Sequence, residues 1–324
     1  MTTPFPLLRL PRLALIPIFQ QMEPIDVIAF SLLSKKANCV SKIHCKLSAG
    51  SINITVCSNY PRIKVALRND TSAGLYLYTQ KVPDVANMMI QNETVSCEIE
   101  SVTVAKLVER IVDVTSCKSL ELVVLRGPLQ LKVCDTLALL TKLWRLAILP
   151  GCSDSFAKKA LEIVSTVTTE ISLFRIPFKT REEFQTFLKS NLNYLNINSD
   201  FSKFTLDDLL VTNALKVELR QVSFWVTDIT QFLTNWFQNK HNSRLEHLHL
   251  YVKTVVHATF LPGVLKAVSF SRDRERTFFY SKPLDTPSKT FRGGYDIRRS
   301  DGKKATITFT YISGWTDIDL YFWP

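Results

Sequence analysis

Five histidines, seven cysteines and a scatter of carboxylates are the side chains with which this 324-residue chain could do chemistry. His247 and His249 stand two apart in the run LEHLHL (245–250), so on a strand both project from one face and together offer two imidazoles to a proton or a metal. No cysteine or acid follows at ligand spacing to complete a metal site, and no cofactor is expected. Cys39, Cys45, Cys57, Cys97, Cys117, Cys134 and Cys152 are odd in number and include no C-x-x-C pair. That pattern speaks against a zinc site or a disulfide framework and for reduced thiols of the cytoplasm or nucleus. There is no GxGxxG, GxxxxGK or GxSxG stretch to cradle a phosphate or raise a nucleophile, and Gly293-Gly294 precedes a strand and reads as a turn. These residue types argue against an enzyme.

The elements that would position the two histidines announce themselves by alternation. LELVVL (120–125), WRLAIL (144–149), EISLFRI (170–176), YLNIN (194–198), LKVEL (215–219) and LEHLHL each read as a short strand. They recur at a spacing of roughly 22 to 30 residues, close to the period of leucine-rich units. Amphipathic runs lie between them at 155–167, 181–188, 206–211 and 227–237, with Asp154, Thr180, Thr205 and Thr227 as expected N-caps. Strands alternating with helices predict βα units and parallel pairing. The expected fold is α+β or α/β, an irregular leucine-rich-repeat-like βα arc, with an ordinary α/β sandwich as the alternative. In such an arc Leu195, Ile197, Val217, Leu219, Leu248 and Leu250 point inward. Asn196, Asn198, Lys216, Glu218, Arg220, His247, His249 and Tyr251 then share the open face, which is either a peptide-binding surface or a plain solvated one.

Around this core the period changes. Residues 51–78 alternate as short antiparallel strands with turns between them, 87–92 fits a helix fragment or a strand, and 104–114 (VAKLVERIVDV) has helical spacing. At the far end a strand is expected at 278–280, and Ser300-Asp301-Gly302 sits between two alternating runs as a hairpin turn. Ile318, Leu320 and Phe322 then alternate with Asp317, Asp319 and Tyr321, predicting a last strand that packs on the final repeat. The net charge of +11 is scattered, which fits a solvated basic surface rather than a nucleic-acid site. Hydrophobic residues at 46% and only 9 glycines allow a substantial core and leave no room for long flexible linkers.

The opening stretch, 4–46, is dense in apolar residues yet too short to bury them on itself. It is cut by Arg9, Arg12 and several prolines, so it reads neither as a leader nor as a bilayer span. Pro11 sits at the start of a helix to about Gln21, Pro24 opens a second, and Ser34-Lys35-Lys36 breaks the chain before a third, Ala37 to His44.

In the order Leu10-Pro11, Leu15, Ile18-Phe19, Met22, Glu23-Pro24, Asp26-Val27-Ile28, Phe30-Ser31-Leu32 and Lys35-Lys36, this stretch resembles an F-box, departing from it at Leu13, where an acid is common, and at Pro17 inside the first helix. Later runs, NLNYLNINSD, LKVELRQVSF, ITQFLTNWF, LEHLHLYV and RGGYDIRRSDGKKATITF, resemble the F-box-associated domain of a nematode-expanded F-box family. The resemblance implies an F-box at 4–46, a small β-containing segment at 51–118 and a repeat-like domain at 119–324, whose associated region is about 185–260. It further implies a substrate-recruiting subunit of a Skp-cullin-F-box ubiquitin ligase in the cytoplasm or nucleus. Leu10, Pro11, Leu15, Ile18, Phe19, Pro24, Ile25, Val27, Ile28 and Leu32 would meet the Skp adaptor and through it cullin, and the later domain would hold a protein target. The alternative is a non-catalytic repeat scaffold whose degenerate F-box caps the arc. Neither reading involves nucleic acid or a membrane.

Overall fold

A computed structural model describes residues 9–45, 47, 49–57, 61–67, 72–76, 85–90, 93–98, 104–117, 120–129, 132–138, 140, 142–198, 204–220, 224, 226–240, 244–252, 261, 263–312 and 314–324. Two units result, Met1–Leu146 with Gly151–Val167, and Ala147–Pro150 with Thr168–Pro324.

The first unit begins with three ten-residue helices: α1 (Arg12–Gln21), α2 (Pro24–Leu33) and α3 (Lys35–His44). Pro11 is the N-cap of α1, and Pro24 occupies the first turn of α2, where its missing N–H and fixed φ are tolerated. The third helix starts two residues earlier than the sequence suggests. The Ser34 hydroxyl accepts from the Ala37 N–H at 3.0 Å, and this cap draws Lys35 and Lys36 into the first turn. Helix α1 continues through Pro17. Strands β1 (Ala49–Cys57), β2 (Pro61–Leu67), β3 (Ser72–Tyr76), β4 (Val85–Ile90) and β5 (Glu93–Glu98) form an antiparallel meander. Residues 85–90 are thus a strand; 91 and 92, part of the same undecided run, lie outside the described residues. Helix α4 (Val104–Thr115) leads to β6 (Leu120–Arg126), which pairs in parallel with β1, and α5 (Lys132–Leu137), β7 (Leu143–Ile148) and α6 (Asp154–Val164) follow. The cap of α6 is Ser153, whose hydroxyl accepts from the Phe156 N–H at 3.3 Å, not Asp154, which falls inside the helix.

The second unit runs β8 (Thr168–Leu173), α7 (Arg181–Leu188), β9 (Leu192–Asn198), α8 (Leu206–Val211), β10 (Ala214–Arg220), α9 (Val226–Phe237) and β11 (His247–Val252). Strands β8 to β11 lie side by side in chain order, and the pairs β8–β9, β9–β10 and β10–β11 are parallel. Thr180 caps α7 by accepting from Glu183 N–H at 3.2 Å, and at α8 the Asp208 carboxylate accepts from the Thr205 N–H at 2.9 Å. Thr227 lies within the first turn of α9 and is not its cap.

Beyond β11 the sheet turns antiparallel. Strand β12 (Val268–Phe278) is followed by β13 (Lys289–Arg298), β14 (Lys304–Ile312) and β15 (Trp315–Phe322). The last strand folds back beside β11, giving the order β12-β13-β14-β15-β11-β10-β9-β8 within this unit. The Ser300-Asp301-Gly302 hairpin forms as expected, with Arg298 opposite Lys304 and Gly302 at φ +88°. The strand expected at 278–280 ends at Phe278 and reaches back to Val268, so the charged run 272–276 lies inside it.

One face of this sheet is apolar. Leu195, Ile197, Val217, Leu219, Leu248, Leu250, Ile318 and Leu320 are buried along it. Helix α9 covers part of that face, as Trp236 and Phe232 meet Phe322 with ring centroids 5.4 and 6.4 Å apart. Burying side chains of this size contributes about 1.5–3 kcal/mol each. The other face is polar, and it carries the site.

Candidate functional site

Strand register arranges the polar face in rows. The first runs Glu170, Tyr194, Lys216, His247, Tyr321; the second Ser172, Asn196, Glu218, His249, Asp319; the third Asn198, Arg220, Tyr251, Asp317. All eight residues singled out from the sequence therefore share this face, as alternation requires.

The face is closed over its first row and open only in part beyond it. His247 is 4% exposed and Glu218 8%. After β12 the chain comes back over the first row, where Leu284 is buried with Tyr194 and Leu215, and Tyr280 packs against them. Phe291 stacks on Tyr321 at 4.5 Å, and Tyr321 stacks on His247 at 4.7 Å. The expectation of a solvated row fails here because the C-terminal strands supply an aromatic cover that the βα pattern does not foretell.

Beneath that cover the polar groups are joined. One Asp319 oxygen, Oδ1, meets His247 Nε2 at 2.8 Å and His249 Nδ1 at 2.9 Å. The other His247 nitrogen, Nδ1, lies 3.1 Å from the Tyr280 hydroxyl, and His249 Nε2 is 3.7 Å from Asp317. Burial pulls the His247 pKa down against the pull of Asp319. Burial also works against charge on His249, yet its hydrogen bond to Asp319 and the charges of Asp319, Glu218 and Asp317 leave that imidazole above its ordinary value. For Asp319, burial raises the carboxyl and the two histidines more than reverse it, so it stays ionised. A neutral His247 must then donate Nε2–H to Asp319 and accept at Nδ1 from Tyr280.

Glu218 is held by the Tyr194 hydroxyl and by Arg220 Nε at 2.6 Å; burial opposes its charge, and these two donors outweigh that. Lys216 stands 4.1 Å over the Tyr194 ring, and burial lowers its pKa. The Tyr321 hydroxyl and the Asn196 carbonyl oxygen are buried without a hydrogen-bond partner. Asp317, Asp319, Tyr280 and Tyr321 are the members that sequence reasoning left out. The alternation of Asp317, Asp319 and Tyr321 with apolar residues was visible, but their pairing with β11 joins positions about 70 apart in the chain.

This network holds protons: two imidazoles share the Asp319 carboxylate, and the Tyr280 hydroxyl meets one of them. Among the described residues no group of three or more His, Cys, Asp or Glu could hold a metal ion, and no helix is long and apolar enough to cross a membrane.

In the first unit the ten F-box candidates divide. Leu15, Phe19, Val27, Ile28 and Leu32 are buried, with Ile28 at 0%. Leu10, Ile18, Pro24 and Ile25 are half-buried and Pro11 is exposed. The buried set holds the three helices to one another and to α4. Asn38 Nδ2 donates to Arg110 O at 3.0 Å, the Arg110 guanidinium donates to Leu32 O, and Lys42 pairs with Asp113. The expected adaptor contacts leave out Leu13, noted only as a departure from the pattern, and Ile43 and Leu33, which among the described residues are exposed apolar side chains at 81%, 52% and 48%.

Comparison with known families places an F-box domain at residues 7–48 and an F-box associated region at 183–250. The chain carries both, in the order that the sequence resemblance indicates. The associated match runs from within α7 to within β11 and so takes in three of the parallel strands that carry the polar face. No curated protein and no solved structure matches the chain.

Proposed function

We propose that the protein is the substrate-recruiting subunit of a Skp-cullin-F-box ubiquitin ligase. The F-box binds the Skp adaptor and through it cullin, and the C-terminal unit holds the protein to be modified. The observation that carries this reading is the F-box at 7–48 with large apolar side chains, Leu13, Leu33 and Ile43, left in solvent on its helices. Exposed side chains of this size are what a partner surface needs. The protein then performs no bond chemistry; it raises the concentration of a target near the ligase. Its place of action is the cytoplasm or nucleus, and its partners are proteins rather than nucleic acid or membrane. The βα ladder β8–β11 serves as a repeat-like scaffold for the target-binding face.

A second reading, a scaffold whose F-box is a cap, is favoured by one observation. Helix α4 of the same unit is tied to α2 and α3 through Arg110 and Asn38, so half of the expected contact set faces inward. Capture of the purified chain on immobilised Skp adaptor separates the two. Saturable capture supports the adaptor; its absence with a folded chain leaves the cap.

A further inference from the structure

Beside the buried histidines, on the polar face, lies a groove of about 830 Å³. His249, Asp317, Asp319, Thr308 and Thr310 line it from β11, β15 and β14, and Phe270, Arg272, Lys289, Phe291 and Arg292 from β12 and β13. Its size matches a ligand site rather than a packing defect.

Two glycines and a bulge make the space. Four residues of β12, 271–274, face the single Gly293 of β13, which kinks the strand away from its neighbour. At Gly293 (φ +72°) a Cβ would come within 2.8 Å of the Arg272 Cγ, so the missing side chain lets the arginine stem lie across β13. At Gly294 (φ +142°) a Cβ would come within 2.5 Å of Ile307 O, 3.1 Å of the Phe270 ring and 3.2 Å of the Thr308 methyl.

The charges in the groove are unevenly satisfied. Arg292 is bound by Glu275 at 2.8 Å, and Asp319 is shared by two histidines. Asp317 faces His249 at 3.7 Å. Among the described residues Arg272 and Lys289 have no acidic partner. The Tyr321 hydroxyl, on a side chain 0% exposed that also lines the groove, has no hydrogen-bond partner. Two unpaired cations border a space walled by Phe270 and Phe291, whose rings meet edge-on at 6.5 Å.

We propose that this groove binds an acidic peptide segment of a partner protein, with Asp or Glu carboxylates against Arg272 and Lys289 and an apolar neighbour against Phe270 and Phe291. The assignment deepens the adaptor reading and rests on it for calling the partner a substrate. Charge complementarity selects the occupant: the cations left over call for an anion, and the aromatic walls call for side chains beside it.

The test is a peptide array probed with the full chain, each peptide carrying Glu, Gln, Lys or phosphoserine at its centre and an aromatic residue nearby. Glu should be preferred over Gln, and Arg272→Ala with Lys289→Ala should weaken Glu-peptide binding about fivefold or more. Both side chains are exposed, so the fold is retained. The charge reversal Arg272→Glu with Lys289→Glu should move the preference to Lys. Equal binding of Glu and Gln peptides, a preference untouched by either double variant, or selection of phosphoserine with no gain for Glu would overturn the proposal. Skp capture on the same preparation keeps the two claims apart: capture without acid selection sinks only the groove, and acid selection without capture sinks only the adaptor reading.

Discussion

Tyr321 lies flat against His247, with ring centroids 4.7 Å apart and planes 5° from parallel, while its hydroxyl makes no hydrogen bond. The ring and the hydroxyl therefore pull in opposite directions. Replacing Tyr321 by Phe keeps the stack with His247 and Phe291 and removes a buried orphan that costs about 1–3 kcal/mol. The expected result is unchanged or higher stability. Tyr321→Ala opens a cavity at a fully buried site and should lose about 3–5 kcal/mol. Urea unfolding of the three proteins checks both; a large loss in the Phe variant would mean that the hydroxyl has a partner in solution.

The shared Asp319 oxygen sets the two histidines apart in pH. His247, lowered by burial, should take up its proton below the ordinary imidazole value, and His249, raised on balance by Asp319, above it. The signs for stability follow. The His249 contribution is full below its unfolded pKa and disappears as pH rises through the higher folded one. His247 acts the other way, weakening the fold as pH falls below its ordinary value, because the unfolded chain takes up the proton first. The Asp319 contribution persists above the ordinary carboxylate range and is lost as pH falls below it. Two-dimensional NMR of the imidazole resonances should show His249 titrating at higher pH than His247. In Asp319→Asn, burial is left with less to oppose it, and the His249 midpoint should drop.

How much of this was legible in the sequence depends on whether the governing contact is local. Strands β6 to β11 and helices α6 to α9 follow from apolar periodicity, and the shared face of Asn196, Glu218 and His249 follows from counting in twos. The hairpin at Asp301-Gly302 was equally plain. The cover was not. His247 is sealed by Tyr321 of the last strand and by Tyr280 and the chain around Leu284, which lie in the connection between β12 and β13. The groove escaped for a related reason: Gly293-Gly294 reads as a turn in one dimension, yet within β13 it is the gap that accommodates a four-residue bulge. In the F-box, spacing identified the apolar set but could not say which half faces α4.

The glycine pair offers a separate check. Gly294→Ala places a methyl in an unfavourable φ and against a backbone oxygen, so it should destabilise by more than the ~1 kcal/mol that a positive φ alone costs. Gly302→Ala, at φ +88° with nothing within 4 Å of the added carbon, should show only that smaller loss. Thermal unfolding of the pair isolates the steric contribution, and equal losses would show that β13 shifts to admit the methyl.

The first unit allows folding and binding to be separated. Ile28 is 0% exposed, so Ile28→Asp buries a carboxylate with no partner and should lose several kcal/mol, removing Skp capture by unfolding the module. It is a control and says nothing about the interface. Leu13 and Leu33 are 81% and 48% exposed, so aspartate there should change stability by no more than about 0.5 kcal/mol. On the adaptor reading the same substitutions should weaken capture on immobilised Skp adaptor about fivefold or more, since each places a charge in an apolar contact. Circular dichroism melts run beside the capture assay decide the case. Unchanged melts with lost capture locate the interface on the exposed half of the helices. Unchanged melts with unchanged capture place it elsewhere and return weight to the capping scaffold.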